Sequence, residues 1–195
     1  VLNYGTKKEN IVFLSASPFL KFKWMNNVIK TKIVGEYNLI NIIAAIKIGI
    51  YFGLDNQKIV EKLKNNKSNN NRSELIKTKN NQIILDAYNA NPSSMKISIE
   101  NFMNIKTSYS KMLIIGDMLE LGANTSSLHQ EIINFLINSK FKKCIVIGSF
   151  FYKTNSNFLK FKTKKNLEIF LKKQPITKKL ILIKGSREMK LETLK

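Results

Sequence analysis

The chain has 195 residues, 44% of them hydrophobic, which is enough for one or two domains with a buried core. Its formal net charge of +20 comes from 33 basic and 13 acidic residues. A single cysteine, Cys144 in an apolar run, excludes an internal disulfide framework and predicts a buried thiol; no spacing predicts a metal site.

The charge surplus is almost entirely lysine, since Arg72 and Arg187 are the only arginines. Nucleic-acid interfaces favour arginine, because its planar guanidinium grips phosphate and guanine through two hydrogen bonds. Abundant Lys, Asn and Ile beside scarce Gly, Pro and Asp is typical of an AT-rich genome. We therefore interpret the lysines as a solvated surface and predict no nucleic-acid partner. A basic nucleic-acid-binding module is the alternative hypothesis.

No membrane segment is predicted. The longest apolar stretch, residues 39–54, contains Asn41 and Lys47 and is shorter than the ~20 residues of a membrane span. The first residues show no basic head before an apolar run, as a signal peptide would. We expect a cytoplasmic monomer without membrane insertion. Because the chain begins at Val1 and not at methionine, we interpret it as a fragment.

In the first third of the chain, β-branched and alternating runs predict strands at 11–14 and 28–34, and Gly35 ends the second. The spacing of the isoleucines then predicts a helix over 37–52. A second helix is expected to begin after Asp55 as N-cap. The polar run 65–71 ends that helix and predicts a domain boundary, with domains at 1–71 and 72–195.

Beyond the boundary, strands and helices alternate, which predicts a doubly wound, mostly parallel α/β sheet. Its strands are continuous apolar runs, typical of strands covered on both faces. The predicted elements are a hairpin over 74–77 and 82–85 with Asn80-Asn81 at its turn, strands at 83–87, 111–116, 144–148 and 180–184, and helices after Asn91, over 128–138 and 165–173, and from Arg187.

Ligands bind beyond the carboxyl ends of the strands in such a sheet. Asp86 ends the first of these strands, and its carboxylate suits two ribose hydroxyls; Asn91 is a good N-cap and Pro92 a good first helical residue. Asp117 and Glu120 follow the next strand, where carboxylates can orient an ammonium group or metal-bound water. A tight turn explains them equally well.

The last such loop, Lys184-Gly185-Ser186-Arg187, predicts an anion site supported by a helix N-terminus, with a solvated basic turn as the alternative. No P-loop pattern occurs in the chain. His129 is the only histidine, and we expect a structural residue more than a catalytic base. Ser127 and Gln130 beside it have capping-box spacing.

Five motifs resemble the Mur ligase family, and within it the MurF branch. Residues 35–45 resemble the signature G-x-[HY]-N-x-x-N-x-x-A-A, although position 37 is Tyr where many members have His. Asn70–Ser73 resembles the arginine that opens the C-terminal domain. The runs 86–95, 116–122 and 184–187 match the MurF branch, and all five follow the family order.

The resemblance implies a Rossmann-like C-terminal domain preceded by the end of the central ATP-binding domain. It also implies ATP with Mg²⁺, the UDP-N-acetylmuramoyl-tripeptide and D-alanyl-D-alanine as ligands. It assigns Asn38 and Asn41 to adenine, Asp86 and Tyr88 to the ribose side, and Arg72 to the phosphates and to catalysis. It places Asn89, Asn91, Asp117, Ser186 and Arg187 on the substrate side.

The implied reaction runs through an acyl phosphate and forms an amide bond in peptidoglycan synthesis. The P-loop and the Mg²⁺ ligands are then expected before Val1, so this chain is expected to be inactive alone. A decayed remnant of the enzyme is a further alternative.

Overall fold

The computed structural model describes residues 5–66 and 71–194, which form two compact units, each with its own sheet. Among the described residues, one unit covers 5–66 together with Asn104–Lys106, and the other covers the remainder. The domain boundary expected in the polar run 65–71 stays a prediction. Residues 67–70 of that run lie outside the described ranges.

The first unit is a three-stranded antiparallel sheet with two helices. Leu20, Phe22 and Trp24 alternate with exposed lysines along the middle strand and are buried in a core with isoleucines of the first helix. This middle strand is not among the predicted elements. The elements are β1 (Ile11–Ala16), β2 (Phe19–Trp24), β3 (Asn27–Val34), α1 (Leu39–Tyr51) and α2 (Asn56–Asn65).

Two local predictions in this unit are confirmed. Gly35 ends β3 with a φ of 91°, a conformation that L side chains rarely adopt. Asp55 caps α2, because its Oδ1 accepts hydrogen bonds from the backbone N–H groups of Gln57 and Lys58 at 2.8 and 3.2 Å.

The second unit contains a six-stranded sheet in the order β4-β5-β9-β6-β7-β8. Strand β4 is antiparallel to β5, and every other neighbouring pair is parallel, which confirms the predicted fold class. The strands are β4 (Glu74–Lys77), β5 (Gln82–Asp86), β6 (Ser110–Gly116), β7 (Cys144–Ile147), β8 (Leu159–Phe161) and β9 (Lys179–Lys184).

The helices of this unit are α3 (Pro92–Asn104), α4 (Thr125–Asn138), α5 (Ser149–Tyr152) and α6 (Lys164–Lys173). Strand β8 and helix α5, both very short, are not predicted. The capping-box prediction is wrong, because α4 begins at Thr125 and Ser127 lies inside its first turn. Cys144 is buried as predicted.

The predicted last helix is replaced by two short 3-10 turns, Arg187–Met189 and Leu191–Leu194. Lys190 between them has a φ of 48°, in the left-handed region, and this interrupts helical hydrogen bonding. Within the described ranges, no helix is long and apolar enough to cross a membrane.

Candidate functional site

Three loops lie side by side at the carboxyl edge of the six-stranded sheet, because β5, β9 and β6 are neighbours. Together they surround a cavity of about 220 Å³. The position agrees with the general rule for open parallel sheets. The cavity, called the edge pocket below, is lined by Tyr88, Asn89, Leu119, Glu120, Ser186, Arg187 and Glu188.

The ring of Tyr88 brings the two arginines together. The Arg72 guanidinium carbon lies 3.6 Å from the ring centroid, and that of Arg187 lies 5.4 Å from it. Cations over an aromatic face are attracted by its quadrupole, and the planar guanidinium also stacks on it. The structure thus collects both guanidinium groups of the chain at one edge of the pocket, where an anionic group would be attracted.

Asp86 forms a buried ion pair with Lys184, its register partner on β9. The Lys184 Nζ lies 2.7 Å from the Asp86 Oδ2, and the two side chains are 3% and 14% exposed. The Asp86 carboxylate also accepts hydrogen bonds from the hydroxyls of Ser98 (3.0 Å) and Ser73 (3.4 Å). A carboxylate has about four acceptor positions, so this set leaves room for one hydroxyl of a ligand.

Lys184 also holds the loop after β5, since its Nζ donates to the Asn89 carbonyl oxygen at 3.3 Å. Asn89 itself is exposed and lines the edge pocket. Asn91 caps α3 as predicted, because its Oδ1 accepts from the Ser94 N–H at 2.8 Å and the Ser93 hydroxyl at 2.9 Å. Its contact with substrate stays a prediction.

Asp117 faces the interior of the protein. Its two carboxylate oxygens accept hydrogen bonds from two backbone N–H groups in α5, at 3.0 Å from Phe150 and 2.9 Å from Phe151. Gly148 permits this close packing, since a Cβ there would lie 2.2 Å from the Asp117 carboxyl carbon, and its φ is 119°. The side chain is therefore an internal anchor of the loop.

Two further pocket residues carry carboxylates: Glu120, which the sequence places beside Asp117 as a candidate to orient an ammonium group or metal-bound water, and Glu188, which is not among the predicted residues. Both are exposed, and both line the edge pocket. Glu120 has a φ of 62°, which is uncommon for a residue other than glycine and marks a constrained loop. For Glu120, the signal in the sequence is that it is the second acid after the strand that precedes Asp117.

Ser186 joins two of the loops. Its hydroxyl oxygen accepts a hydrogen bond from the Leu119 N–H at 2.8 Å, and its own N–H donates to the Asp117 carbonyl oxygen at 3.1 Å. The predicted support from a helix N-terminus is wrong, because only a three-residue turn follows. Positive charge at this loop comes from the side chains.

Asn38 and Asn41 belong to the first unit and lie on one face at the start of α1, as their spacing predicts. The Asn41 amide donates to the Asn38 Oδ1 at 3.2 Å, and the Asn38 amide donates to the Val34 carbonyl at 2.8 Å. The described residues contain no cluster of three or more His, Cys, Asp or Glu suited to a metal ion. The Mg²⁺ ligands expected before Val1 stay a prediction.

Residues 71–187 match the sequence profile of the family described as "Mur ligase, glutamate ligase domain". The chain belongs to the Mur ligase family. Both arginines, the Asp86–Lys184 pair and every lining residue of the edge pocket except Glu188 fall within the matched range. Outside it lie Glu188 and the two asparagines of the first unit.

Among its curated Mur ligase relatives, the chain is 35% identical over 182 residues to the UDP-N-acetylmuramoyl-tripeptide–D-alanyl-D-alanine ligase of Bacillus subtilis. It is 36% identical over 168 residues to the enzyme of that name from Buchnera aphidicola of Acyrthosiphon pisum. These matches cover 88% and 82% of the chain, but 40% and 36% of the relatives. The chain thus spans less than half of their length, and its resemblance to the MurF branch is confirmed.

Solved Mur ligase structures share the fold. A ligase from Acinetobacter baumannii that adds D-alanyl-D-alanine superposes with a TM-score of 0.81 at 23% identity, over 93% of this chain and 42% of that one. MurF of Thermotoga maritima in complex with ADP gives a TM-score of 0.70 at 20% identity, over 92% and 43%. At such identities the likeness concerns the fold alone.

Proposed function

We propose that this chain supplies the dipeptide-binding side and part of the ATP-binding side of a ligase that joins D-alanyl-D-alanine to UDP-N-acetylmuramoyl-tripeptide. The observation that carries the proposal is the edge pocket, which is lined by the cationic Arg187 and by the acidic Glu120 and Glu188. A free dipeptide is a zwitterion, with an ammonium group at one end and a carboxylate at the other. A small pocket with both signs of charge complements it.

In this proposal the Arg187 guanidinium binds the dipeptide carboxylate, and Glu120 with Glu188 attracts its ammonium group. Arg187 suits the first task because its fork donates two parallel hydrogen bonds to a carboxylate. The acidic partner predicted for the ammonium group is then Glu120 in place of Asp117, whose oxygens accept from α5. Ser186 and Asp117 contribute by holding the loops, and Asn89 and Asn91 border the same site.

On the nucleotide side, Asp86 accepts a ribose hydroxyl at its remaining acceptor position, beside the ring of Tyr88. Arg72, exposed and stacked on that ring, reaches the phosphates and neutralises charge as it develops during phosphoryl transfer. Asn38 and Asn41 offer amides to the adenine edge. ATP would bring Mg²⁺, with ligands supplied by a preceding part of the enzyme.

The proposed reaction has two steps. An oxygen of the tripeptide's terminal carboxylate attacks the γ-phosphorus of ATP, the bond to ADP breaks, and an acyl phosphate results. The dipeptide amine, after losing a proton, then attacks the acyl carbon, and inorganic phosphate leaves as the amide bond forms. The contribution of this chain is to orient the amine and to neutralise charge. We propose that the enzyme is a cytoplasmic monomer and that this chain is inactive alone.

The dipeptide site is tested by titrating D-alanyl-D-alanine into the ¹⁵N-labelled chain and following the backbone amides by NMR. We expect shifts concentrated in residues 185–188 and 119–120. Arg187→Leu should weaken binding by about tenfold or more, because a hydrogen-bonded charged group loses its partner. Lys172→Leu, which removes one exposed charge on α6, is the matched control and should bind as the unmodified chain does.

Shifts of equal size for both variants, or shifts spread over the lysine surface, would show non-specific attraction and contradict the dipeptide site. The overall activity is tested in a protein of the relatives' full length that contains this chain. There, phosphate release should require ATP, the UDP-tripeptide and D-alanyl-D-alanine together. Release that is independent of the dipeptide would refute the proposed reaction.

A further inference from the structure

His129, on α4, is fully buried, and its two ring nitrogens have different partners. The Met118 backbone N–H donates to the His129 Nε2 at 3.0 Å, so Nε2 carries no proton. The Nδ1 lies 2.6 Å from the Thr125 carbonyl oxygen, which only accepts, so Nδ1 carries the proton. The imidazole is therefore neutral, with its proton on Nδ1.

The surroundings of the ring favour this neutral form. The rings of Phe150 and Phe151 lie 5.3 and 4.6 Å from it between centroids. Burial lowers the pKa of His129 below its usual 6.5, against smaller raising effects of the Thr125 carbonyl and Asp117. Asp117 is the charged group that faces the ring, with its Oδ1 3.6 Å from Nε2.

The hydrogen bond to Met118 fixes one wall of the edge pocket. Three consecutive residues of this wall are tied through their backbone: Asp117 by its carbonyl to Ser186, Met118 by its N–H to His129, and Leu119 by its N–H to the Ser186 hydroxyl. Glu120 follows directly, and its φ of 62° needs such support, since few residues other than glycine adopt it freely.

We propose that His129 is a positioning residue for the edge pocket: its unprotonated Nε2 holds the loop 117–121, and thereby Glu120, in the geometry that receives the dipeptide ammonium group. This inference rests on the proposed function for its ligand. The hydrogen bond from the Met118 N–H to the His129 Nε2 does not itself depend on which ligand binds. His129 is not a lining residue of the edge pocket; it acts on the pocket through the Met118 backbone.

Protonation is expected to release the wall. A proton on Nε2 would point at the Met118 N–H, where an acceptor is needed, while the Asp117 carboxylate 3.6 Å away offers a new partner. Because the pKa of His129 is lowered in the folded state, its contribution to stability is fully present above pH 6.5 and is lost as the pH falls from there toward the lower folded-state pKa. Dipeptide affinity should fall as the pH drops through the lowered pKa of His129 in the folded protein, where Nε2 becomes protonated.

The test compares His129→Gln, whose side-chain oxygen can replace the Nε2 acceptor, with His129→Leu, which has none. At pH 7.5, His129→Leu should weaken D-alanyl-D-alanine binding to the chain about tenfold, and His129→Gln should stay within about threefold of the unmodified chain. As the pH is lowered from 7.5 through 6.5 and below, affinity should fall in the unmodified chain with the titration of His129 and lose that dependence in His129→Gln. A purely structural histidine would not give this rescue and pH profile together.

A direct reading of the ring comes from ¹⁵N NMR, which needs no assignment because His129 is the only histidine. We expect the neutral form protonated on Nδ1 at pH 7.5; a proton on Nε2 would overturn the proposal. Unchanged affinity in His129→Leu would also overturn it. If His129→Leu fails to fold, the decisive variant is His129→Gln: if its dipeptide affinity still depends on pH, the proposal is overturned.

The proposed function and this inference fail differently. If the unmodified chain binds no dipeptide, the dipeptide site fails, and the pH dependence of the Met118 and Leu119 amide signals still tests the tie. These signals should shift with the titration of His129 and become insensitive to pH in His129→Gln. If the Met118 and Leu119 amide signals do not shift with the titration of His129, the inference about His129 is overturned, whatever the outcome for the dipeptide site.

Discussion

Replacing Lys184 by methionine should destabilise the second unit strongly, because it leaves the Asp86 carboxylate without its cation. Methionine matches the length of the lysine stem, and the Lys184 side chain is only 3% exposed. Removing one partner of a buried pair typically costs about 3–5 kcal/mol. Asp86 is 14% exposed and keeps the Ser98 hydrogen bond, so we expect the lower end, about 3 kcal/mol.

Hydrogen–deuterium exchange of the amides in β5 and β9 measures this loss. Since about 1.4 kcal/mol corresponds to a factor of ten, their exchange should become faster by roughly a hundredfold. Lys179→Met, at the partly exposed start of the same strand, is the matched control and should change exchange little. The double variant Asp86→Asn with Lys184→Met should recover most of the protection, because the unpaired charge is gone.

Equal exchange in Lys184→Met and Lys179→Met would refute the reasoning, since the ion pair would then contribute nothing beyond a surface lysine. A double variant as unstable as Lys184→Met would also refute it. The loss would then come from packing of the lysine stem and not from the stranded carboxylate.

Three further predictions concern the same unit. Asn91→Ala should cost about 1 kcal/mol by removing the N-cap bond to Ser94, seen as a lower thermal midpoint; no change would mean that the cap is redundant. Burial raises the pKa of the Cys144 thiol, so it should resist alkylation at pH 8 until urea is added, as mass spectrometry would show; labelling of the native chain would contradict this. Gly148→Ala should destabilise by several times more than Asn91→Ala in the same thermal assay, since its Cβ would overlap the Asp117 carboxyl and its φ is positive.

The class of fold was accessible from the sequence because the parallel strands are continuous apolar runs. Residues 113–116 and 180–184 are buried along their whole length, as such runs predict. Strand β2 is not among the predicted elements, although Leu20, Phe22 and Trp24 alternate with Lys21 and Lys23 at a clear period of two. Elements of three or four residues, β8 and α5, carry too few positions for any period.

The site was accessible only in part, because the direction of a side chain depends on distant segments. Asp117 and Glu120 look equivalent in the sequence, as two acids after a strand. The difference arises from α5, whose N–H groups bond to the Asp117 carboxylate from more than thirty positions away. Likewise, the pairing of Lys184 with Asp86 spans 98 positions, and no local pattern announces it.

The central place of β9 has a consequence for synthesis on the ribosome. This strand, the last of the six described strands in chain order, fits between β5 and β6, which are not hydrogen-bonded to each other. Until residues 179–184 emerge, the nascent chain holds two separate strand groups, each with an apolar edge open to wrong pairing. The edge pocket is completed at the same stage of translation, since its lining residues Ser186 and Arg187 directly follow β9. A ribosome that stalls before Lys179 would therefore release a chain with neither a complete sheet nor a binding site. Such a chain would be readily cleaved by proteases.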